Sequence, residues 1–192
     1  MSIEASPVID GADIAATEDF ESLLELHRSR VFRFIFASVR NRETAENLTQ
    51  DCLLRAYKAR DSFRGDSALG TWLMRIAANL VRSHETSNRL KFWRRALRPE
   101  AGPADARGEA IDVVPDRHLS PEAMVLAREQ VEAVWRVAAR LPERQRTVFL
   151  LRFVEDMELL EIAAVTGMKE GTIKTHLFRA LNAVRSVLEK RT

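Results

Sequence analysis

The sequence has 192 residues, 46% of them hydrophobic and 30% charged, with a formal net charge of +2, which fits one large or two small globular domains. It contains only seven glycines and six prolines among many Ala, Leu, Arg and Glu residues, a composition that favours helices over strands. A single cysteine, Cys52, excludes an internal disulfide, and no apolar run approaches the roughly 20 residues that a membrane-spanning helix needs.

The beginning of the chain differs in composition from the rest. Residues 1–17 are polar, acidic and aperiodic, and we predict that they form a disordered tail. No Lys or Arg occurs before residue 20, so the basic region of a secretion signal is absent. Together with the lone cysteine, this predicts a cytoplasmic protein. The four histidines are scattered without ligand-like spacing, so no metal site and no cofactor are expected.

Two amphipathic helices follow the tail. In residues 18–38, apolar side chains recur at helical steps: Phe20, Leu23, Leu24, Val31, Phe32 and Ile35. A second helix starts at Asn41, and its inner side carries Thr44, Ala45, Leu48, Cys52, Leu53 and Ala56. Its other side presents Glu46, Asn47, Gln50, Asp51 and Arg55. Such a polar face is usually only solvated, but it is also what a docking helix offers to a basic partner surface.

A loop and a third helix complete the first half of the chain. Gly65 and Asp66 interrupt the pattern in residues 60–67, and Asp66 or Ser67 can cap a helix that spans about residues 69–89. The inner side of this helix carries Trp72, Ile76, Ala77, Leu80 and, near its end, His84. On or beside its opposite surface lie Arg75, Asn79 and Arg82. Three helices with short connections predict a bundle of about 80 residues that can fold alone.

Positive charge is concentrated from residue 75 to residue 98, where seven Lys and Arg side chains accompany one carboxylate, giving a local charge of +6. Phe63, Trp72, Phe92 and Trp93 lie in or beside this stretch. Arginines near flat rings suit a polyanion with unstacked bases, because charges follow phosphates and rings take base faces. A solvated basic helix with core aromatics fits equally, and the spacing of Trp72 favours the core. The sequence leaves Phe92 and Trp93 open between capping the bundle, stacking on DNA and beginning a linker.

A linker separates the second half of the chain. Residues 96–119 are largely aperiodic and contain several prolines and glycines, so the domains predicted at residues 18–95 and 120–192 need not touch. Ser120 and Pro121 open a helix whose apolar face carries Val125, Val131, Val134, Trp135, Val137, Ala138 and Leu141. A short helix over residues 143–154 follows and has available for packing Val148, Leu151 and Phe153.

A helix-turn-helix pattern lies in residues 157–181, MELLEIAAVTGMKEGTIKTHLFRAL. Ala163 is small where two helices cross, Gly167 permits a positive φ in the turn, and Ile173 anchors the second helix. That helix is predicted to bury Ile173, Leu177, Leu181 and Val184. Outward positions are left to Lys169, Thr172, Lys174, Thr175, His176 and Arg179. Such a face fits the major groove of DNA, although a helical hairpin with an exposed basic side would show the same pattern.

Together these motifs resemble the extracytoplasmic-function (ECF) group of bacterial sigma factors in the sigma-70 family. Residues 45–57, AENLTQDCLLRAY, resemble the polymerase-binding helix of that family, and residues 61–81, DSFRGDSALGTWLMRIAANLV, resemble its segment that opens and reads the −10 element. Residues 141–181 resemble the region that reads the −35 element. The resemblance implies an all-α chain of two helical domains, a sigma-2 type bundle and a sigma-4 type helix-turn-helix, joined by a flexible linker.

The resemblance also implies partners and contact residues. Docking on core RNA polymerase, at the β′ clamp helices and the β flap, is expected to use Glu46, Asn47, Gln50, Asp51 and Arg55, although the family usually has an acid at the position of Asn47. The −10 element, with a flipped base, would meet Ser62, Phe63, Arg64, Gly65, Asp66, Ser67, Ala68, Leu69, Gly70, Arg75, Asn79 and Arg82. The −35 duplex would meet Lys169, Thr172, Lys174, Thr175, His176, Phe178 and Arg179. The resemblance also implies an anti-sigma factor as a partner.

Two other functions fit parts of the sequence. A helix-turn-helix regulator would bind an operator without polymerase, but it would not need the polar second helix or the loop after Ser62. A DNA-processing enzyme would need a catalytic constellation, which the sequence does not show. We therefore predict a promoter-specificity subunit without catalysis and without a small-molecule substrate.

Overall fold

The computed structural model describes residues 17–63, 68–96 and 121–189. Within these ranges, regular structure is helical throughout: α1 (Thr17–Val39), α2 (Arg42–Lys58), a 3₁₀ turn (Arg60–Ser62), α3 (Leu69–Ala96), α4 (Pro121–Arg140), α5 (Glu143–Phe153), α6 (Leu159–Thr166) and α7 (Glu170–Leu188). The predicted helical class is thus confirmed. In the same three ranges, no helix is long and apolar enough to cross a membrane.

The helices α1, α2 and α3 pack against one another as a bundle. The predicted stripe of α1 is confirmed, because Phe20, Leu24, Val31 and Ile35 are buried. Phe34 is also fully buried, although it lies outside that stripe. The reason is that α1 contacts both α2 and α3, so its buried surface is wider than one helical stripe.

Local hydrogen bonds determine where α2 begins and which side it buries. The side chain of Asn41 caps the helix by accepting from the Thr44 backbone N–H at 2.8 Å. Ala45, Cys52 and Ala56 are fully buried, as predicted. Thr49 is buried too, and its hydroxyl donates to the Ala45 carbonyl at 2.7 Å, which satisfies the polar group inside the bundle.

The buried side of α3 is rotated from the predicted one. Leu73, Met74 and Ala77 are completely buried, whereas Trp72 and Ile76 are only half-buried. The cause is that α3 packs on α1 and α2 and also on α6. The predicted caps Asp66 and Ser67 and the side chains of Phe92 and Trp93 lie outside the described residues.

The second half of the chain surrounds α7, which packs on α4, α5 and α6. The core of this half includes Val148, Leu150, Leu151, Met157, Ile162, Val165, Ile173 and Ala180. The prediction of burial is wrong for two residues, because Phe153 is 52% exposed and Leu181 is 41% exposed. Phe153 lies at the end of α5, and Ala180 takes the inward position next to Leu181. The side chain of Val125 lies outside the described part.

The two halves touch, although the sequence left them free to lie apart. Contacts join α1 to α5 and α3 to α6. Buried residues of both halves form one continuous cluster. Charged side chains also meet across this boundary, and they are considered below.

We expect Cys52 to resist alkylation in the folded protein. The side chain is fully buried, its Sγ donates to the Leu73 carbonyl at 3.7 Å, and burial raises the pKa of the thiol to about 12. Because the thiolate is the reactive form, iodoacetamide should modify native protein far more slowly than urea-unfolded protein at pH 8. Mass spectrometry would measure both rates, and equal rates would show that the α2–α3 packing is wrong.

Candidate nucleic-acid interface

The turn between α6 and α7 is built by backbone geometry. Gly167 ends α6 in the left-handed region, with φ of 70°, and its N–H donates to the Ala163 carbonyl at 2.8 Å. At the start of α6, Glu161 accepts from the Glu158 backbone N–H at 2.8 Å. The second helix begins directly after Lys169 and buries Ile173 completely. The predicted helix-turn-helix is therefore present, with Gly167 and Ile173 in their expected roles.

The outer face of α7 is exposed and mainly basic. Solvent reaches Lys169, Thr172, Lys174, Thr175, Phe178 and Arg179. Phe178 is 66% exposed, so this face also offers a large apolar side chain. An α-helix fits the major groove, where cationic groups reach phosphates or guanine and apolar groups reach thymine methyls. The face thus carries the chemistry that a duplex requires.

His176 differs from its neighbours on α7 because it is half-buried. Burial lowers the pKa of the imidazole, and nearby Arg179 and Arg144 lower it further. The ring is therefore neutral at pH 7. Within the described part of the chain, its buried Nδ1 has no hydrogen-bond partner. His176 consequently adds a polar ring to this face but no charge.

The polar side of α2 forms a second surface, as the sequence predicted. Glu46, Asn47, Gln50, Asp51 and Arg55 are all exposed. Glu46 accepts from Arg42 Nε at 3.1 Å on the same helix. Leu54 is exposed beside this polar side, and the sequence pattern placed it in neither the inner nor the polar set. The surface therefore combines carboxylates and amides with one aliphatic side chain.

The exposed strip of α3 forms a third surface. It carries Arg75, Asn79 and Arg82, and Arg82 Nη2 donates to Asn79 Oδ1 at 3.1 Å. At its N-terminal end, the ring of Phe63 lies 5.3 Å from the ring of Trp72. The strip therefore leads from two guanidinium groups to a pair of aromatic rings.

The predicted loop is only partly described. Arg64, Gly65, Asp66 and Ser67 lie outside the described residues. Ser62 and Ala68 are exposed, Phe63 and Leu69 are half-buried, and Gly70 is buried. A Cβ at Gly70 would lie 3.1 Å from Arg30 Nη1, so the glycine permits the close approach of α1 to the start of α3.

Family models match both halves of the chain. The model of sigma-70 region 2 matches residues 23–90, and the model of sigma-70 region 4 matches residues 132–184. The RNA polymerase sigma-H factor of Pseudomonas aeruginosa is 31% identical over 176 residues, which cover 88% of this chain and 86% of that relative. The ECF RNA polymerase sigma-E factor of Escherichia coli is 32% identical over 145 residues, which cover 72% of this chain and 70% of that relative.

The chain belongs to the ECF group of the sigma-70 family. It is an RNA polymerase sigma factor, and sigma factors are transcription-initiation factors and not enzymes. The sigma factor RpoE of Bartonella quintana, solved in complex with the anti-sigma factor NepR, has a similar fold, with a TM-score of 0.64, 24% identity, and coverage of 90% of this chain and 98% of that chain. The family and the two-part helical fold predicted from the sequence are confirmed.

Each of the three exposed surfaces of this sigma factor lies within one of the two family matches. The exposed faces of α2 and α3 lie in the region 2 match, and the basic face of α7 lies in the region 4 match. All three exposed faces therefore lie within the residues that the family models match.

The turn can be tested with two glycines that differ only in backbone conformation. No neighbour lies within 4 Å of a Cβ at Gly167 or at Gly171, and only Gly167 has a positive φ. Gly167→Ala should lower the free energy of unfolding by about 1 kcal/mol, because an L-residue is strained there. Gly171→Ala, inside α7, should leave it unchanged or raise it by about 0.5 kcal/mol. Urea unfolding measures both, and equal losses would contradict the assigned turn.

Proposed function

We propose that this sigma factor uses its three exposed surfaces for three different contacts during initiation. The face of α2 binds core RNA polymerase, the strip of α3 with the preceding loop binds the −10 element, and the face of α7 binds the −35 duplex. The observation that carries the proposal is the helix-turn-helix of α6 and α7 with its exposed basic face, in a chain of the sigma-70 family.

The surface proposed to bind the −35 duplex combines basic side chains with hydroxyl, methyl and aromatic groups. Lys174 and Arg179 are exposed on α7 and can neutralise phosphates or donate to guanine. Thr172 and Thr175 offer hydroxyl and methyl groups, and the exposed ring of Phe178 can pack on a thymine methyl. Lys169 lies where α7 begins, close to the position a backbone phosphate would take. His176 joins this surface as a neutral polar group.

The −10 contact requires a single strand. Extruding a base from a duplex costs roughly a few kcal/mol, which a pocket and a positive groove have to offset. Arg75 and Arg82 supply charge along α3, and Asn79 supplies an amide between them. The aromatic pair of Phe63 and Trp72 lies at the loop end of this strip, so a base that leaves the stack would find apolar surface there.

The surface proposed to bind the polymerase carries carboxylates, in contrast to the two basic surfaces proposed to bind DNA. Glu46 and Asp51 are exposed carboxylates on α2, with Asn47, Gln50 and Arg55 beside them. Exposed charges of this kind govern partner choice and association rate more than raw affinity. The exposed Leu54 adds apolar area at which a partner helix can dock.

We extend the proposal to regulation, location and domain limits. The Bartonella relative was solved with an anti-sigma factor, and we propose that a protein of that class also holds this chain. The absence of a spanning helix in the described ranges and the presence of one buried thiol support a cytoplasmic location. We place the functional units at residues 18–95 and 120–192, with residues 96–119 as the connection between them.

Reconstitution tests the function directly. Purified protein with core RNA polymerase should start transcription at a matching promoter, and neither component alone should do so. Sequencing the 5′ ends of transcripts made by this holoenzyme from genomic DNA would give the start sites and the shared upstream elements. Failure to bind core at low salt would rule the proposal out.

Two substitutions separate the proposed contacts. Arg179→Ala should weaken binding of the holoenzyme to the −35 element by about 1 to 3 kcal/mol, with core affinity unchanged. Asp51→Lys should weaken core binding and leave binding of the free protein to −35 duplex unchanged, because it reverses a charge on α2 alone.

Matched controls guard against general charge effects. Arg136→Ala removes an exposed charge from α4, and Glu21→Lys reverses one on α1. Both control variants should behave as the parent protein in filter-binding and core-affinity assays. Equal losses in both assays from Arg179→Ala and Asp51→Lys would contradict the division of contacts.

A further inference from the structure

A buried carboxylate joins the two halves of the chain. Glu155 lies between α5 and α6, and its side chain is completely inaccessible to solvent. Its carboxylate accepts from Arg30 Nε at 3.1 Å and from Arg33 Nε and Nη2, each at 3.0 Å. Both arginines belong to α1, in the other half, and Arg30 Nη2 also donates to the Glu155 backbone carbonyl at 3.3 Å.

Further contacts follow the same boundary. Arg146 of α5 donates to Glu85 of α3, and both side chains are largely buried. The guanidinium of Arg40 lies 5.4 Å from the ring centroid of Trp135 on α4. Arg82 Nε of the α3 strip lies 3.9 Å from a carboxylate oxygen of Glu143. The boundary is therefore held by charged groups as well as by apolar contact, and it engages one arginine of the proposed −10 surface.

With its halves in contact, the protein is shorter than the distance between the two promoter elements that the proposed function requires it to bind. The numbering of the −35 and −10 elements separates them by about 25 base pairs, or about 85 Å at 3.4 Å per base pair. A compact protein of 192 residues has a radius of gyration of about 16 Å and hence a diameter of about 40 Å. The faces of α3 and α7 cannot reach both elements unless the halves separate.

The connection between the halves is long enough to allow this separation. Twenty-four residues lie between Ala96 at the end of α3 and Pro121 at the start of α4. At about 3.3 to 3.6 Å per residue, a chain of that length reaches about 80 Å when extended. The contacts between the halves, and not the covalent connection, then decide which form is populated.

The chemistry of Glu155 suits a contact that opens. Glu155 is completely buried, whereas Arg30 and Arg33 keep part of their side chains in solvent. Burying the carboxylate carries a desolvation penalty that its attraction to the two guanidinium groups only partly offsets. When the halves separate, the carboxylate returns to water, so that penalty is recovered. An apolar contact of equal area would lack this compensation and would hold the halves more firmly.

We propose that Glu155, Arg30 and Arg33 form a latch that holds the free sigma factor closed and that has to open during assembly with core RNA polymerase. The latch does not cover a binding surface, because the faces of α2 and α7 both stay exposed in the closed form. It acts by keeping the faces of α3 and α7 too close together to reach both promoter elements. This inference rests on the proposed function for its role in assembly, whereas the closed form itself can be tested on the free chain.

The closed form is tested without polymerase or DNA. Glu155→Arg places three guanidinium groups together and should open the chain, which raises the radius of gyration in small-angle X-ray scattering by roughly 5 Å. The triple variant Arg30→Glu, Arg33→Glu, Glu155→Arg reverses every charge and should return the radius to the parent value. Arg28→Glu, an exposed change on the same helix, is the matched control and should leave it unchanged.

Folding is checked separately for each variant. Thermal melts followed by circular dichroism show whether Glu155→Arg retains its helices. If it does not, Arg33→Glu replaces it, because that side chain is 56% exposed and its change leaves no new group buried. A parent protein that is already extended, or an opening variant that folds but stays compact, would overturn the latch.

The role in assembly is measured on the same variants. If closure opposes assembly, the opened variant should bind core RNA polymerase roughly fivefold more tightly or better, because the competent fraction rises. Binding of the free protein to an isolated −35 duplex should not change. Opening without any gain in core affinity would overturn this role, whereas a parent protein that does not bind core at all would overturn the proposed function and leave the scattering result standing.

Discussion

The burial of α3 is the constraint on which the rest of the molecule depends. Leu73, Met74 and Ala77 of this helix close the core of the first half, and another side of the helix packs on α6 of the second half. Apolar burial stabilises by about 25 cal/mol for each Å², so these sides have to stay apolar. Arg75 and Arg82 are thereby left on one exposed strip of α3. The packing that makes the core also aligns Arg75 and Arg82 for a polyanion.

Local rules explain what the sequence could predict. Gly167 is fixed by the positive φ of the turn, Asn41 by the free N–H groups at a helix start, and Ile173 by helical spacing from that turn. Each of these needs only a few neighbours along the chain. The same reasoning failed where tertiary neighbours decide burial: Leu181 and Phe153 are apolar but exposed, and Trp72 packs only against the edge of the core that Leu73 and Met74 fill.

The contacts between the halves had no local signal at all. Glu155 is 125 residues from Arg30 and 122 residues from Arg33, and nothing near it in the sequence distinguishes it from an exposed acid. The net charge of +2 does not reveal this arrangement, because it counts buried acids and exposed acids alike. Glu155 and Glu85 neutralise arginines inside the molecule, whereas Glu46 and Asp51 stay at the surface. The basic faces on α3 and α7 stay exposed and carry few acids, with Arg82 lying 3.9 Å from Glu143 and Lys174 lying 3.8 Å from Glu170.

The position of Cys52 limits how this sigma factor can receive a signal. It is the one cysteine in the sequence, and it lies in the core with its proton held by burial. Oxidants react with exposed thiolates, so neither a sulfenic acid nor a mixed disulfide forms readily here while the bundle is folded. An oxidant signal therefore has to reach this sigma factor through a group other than its own thiol.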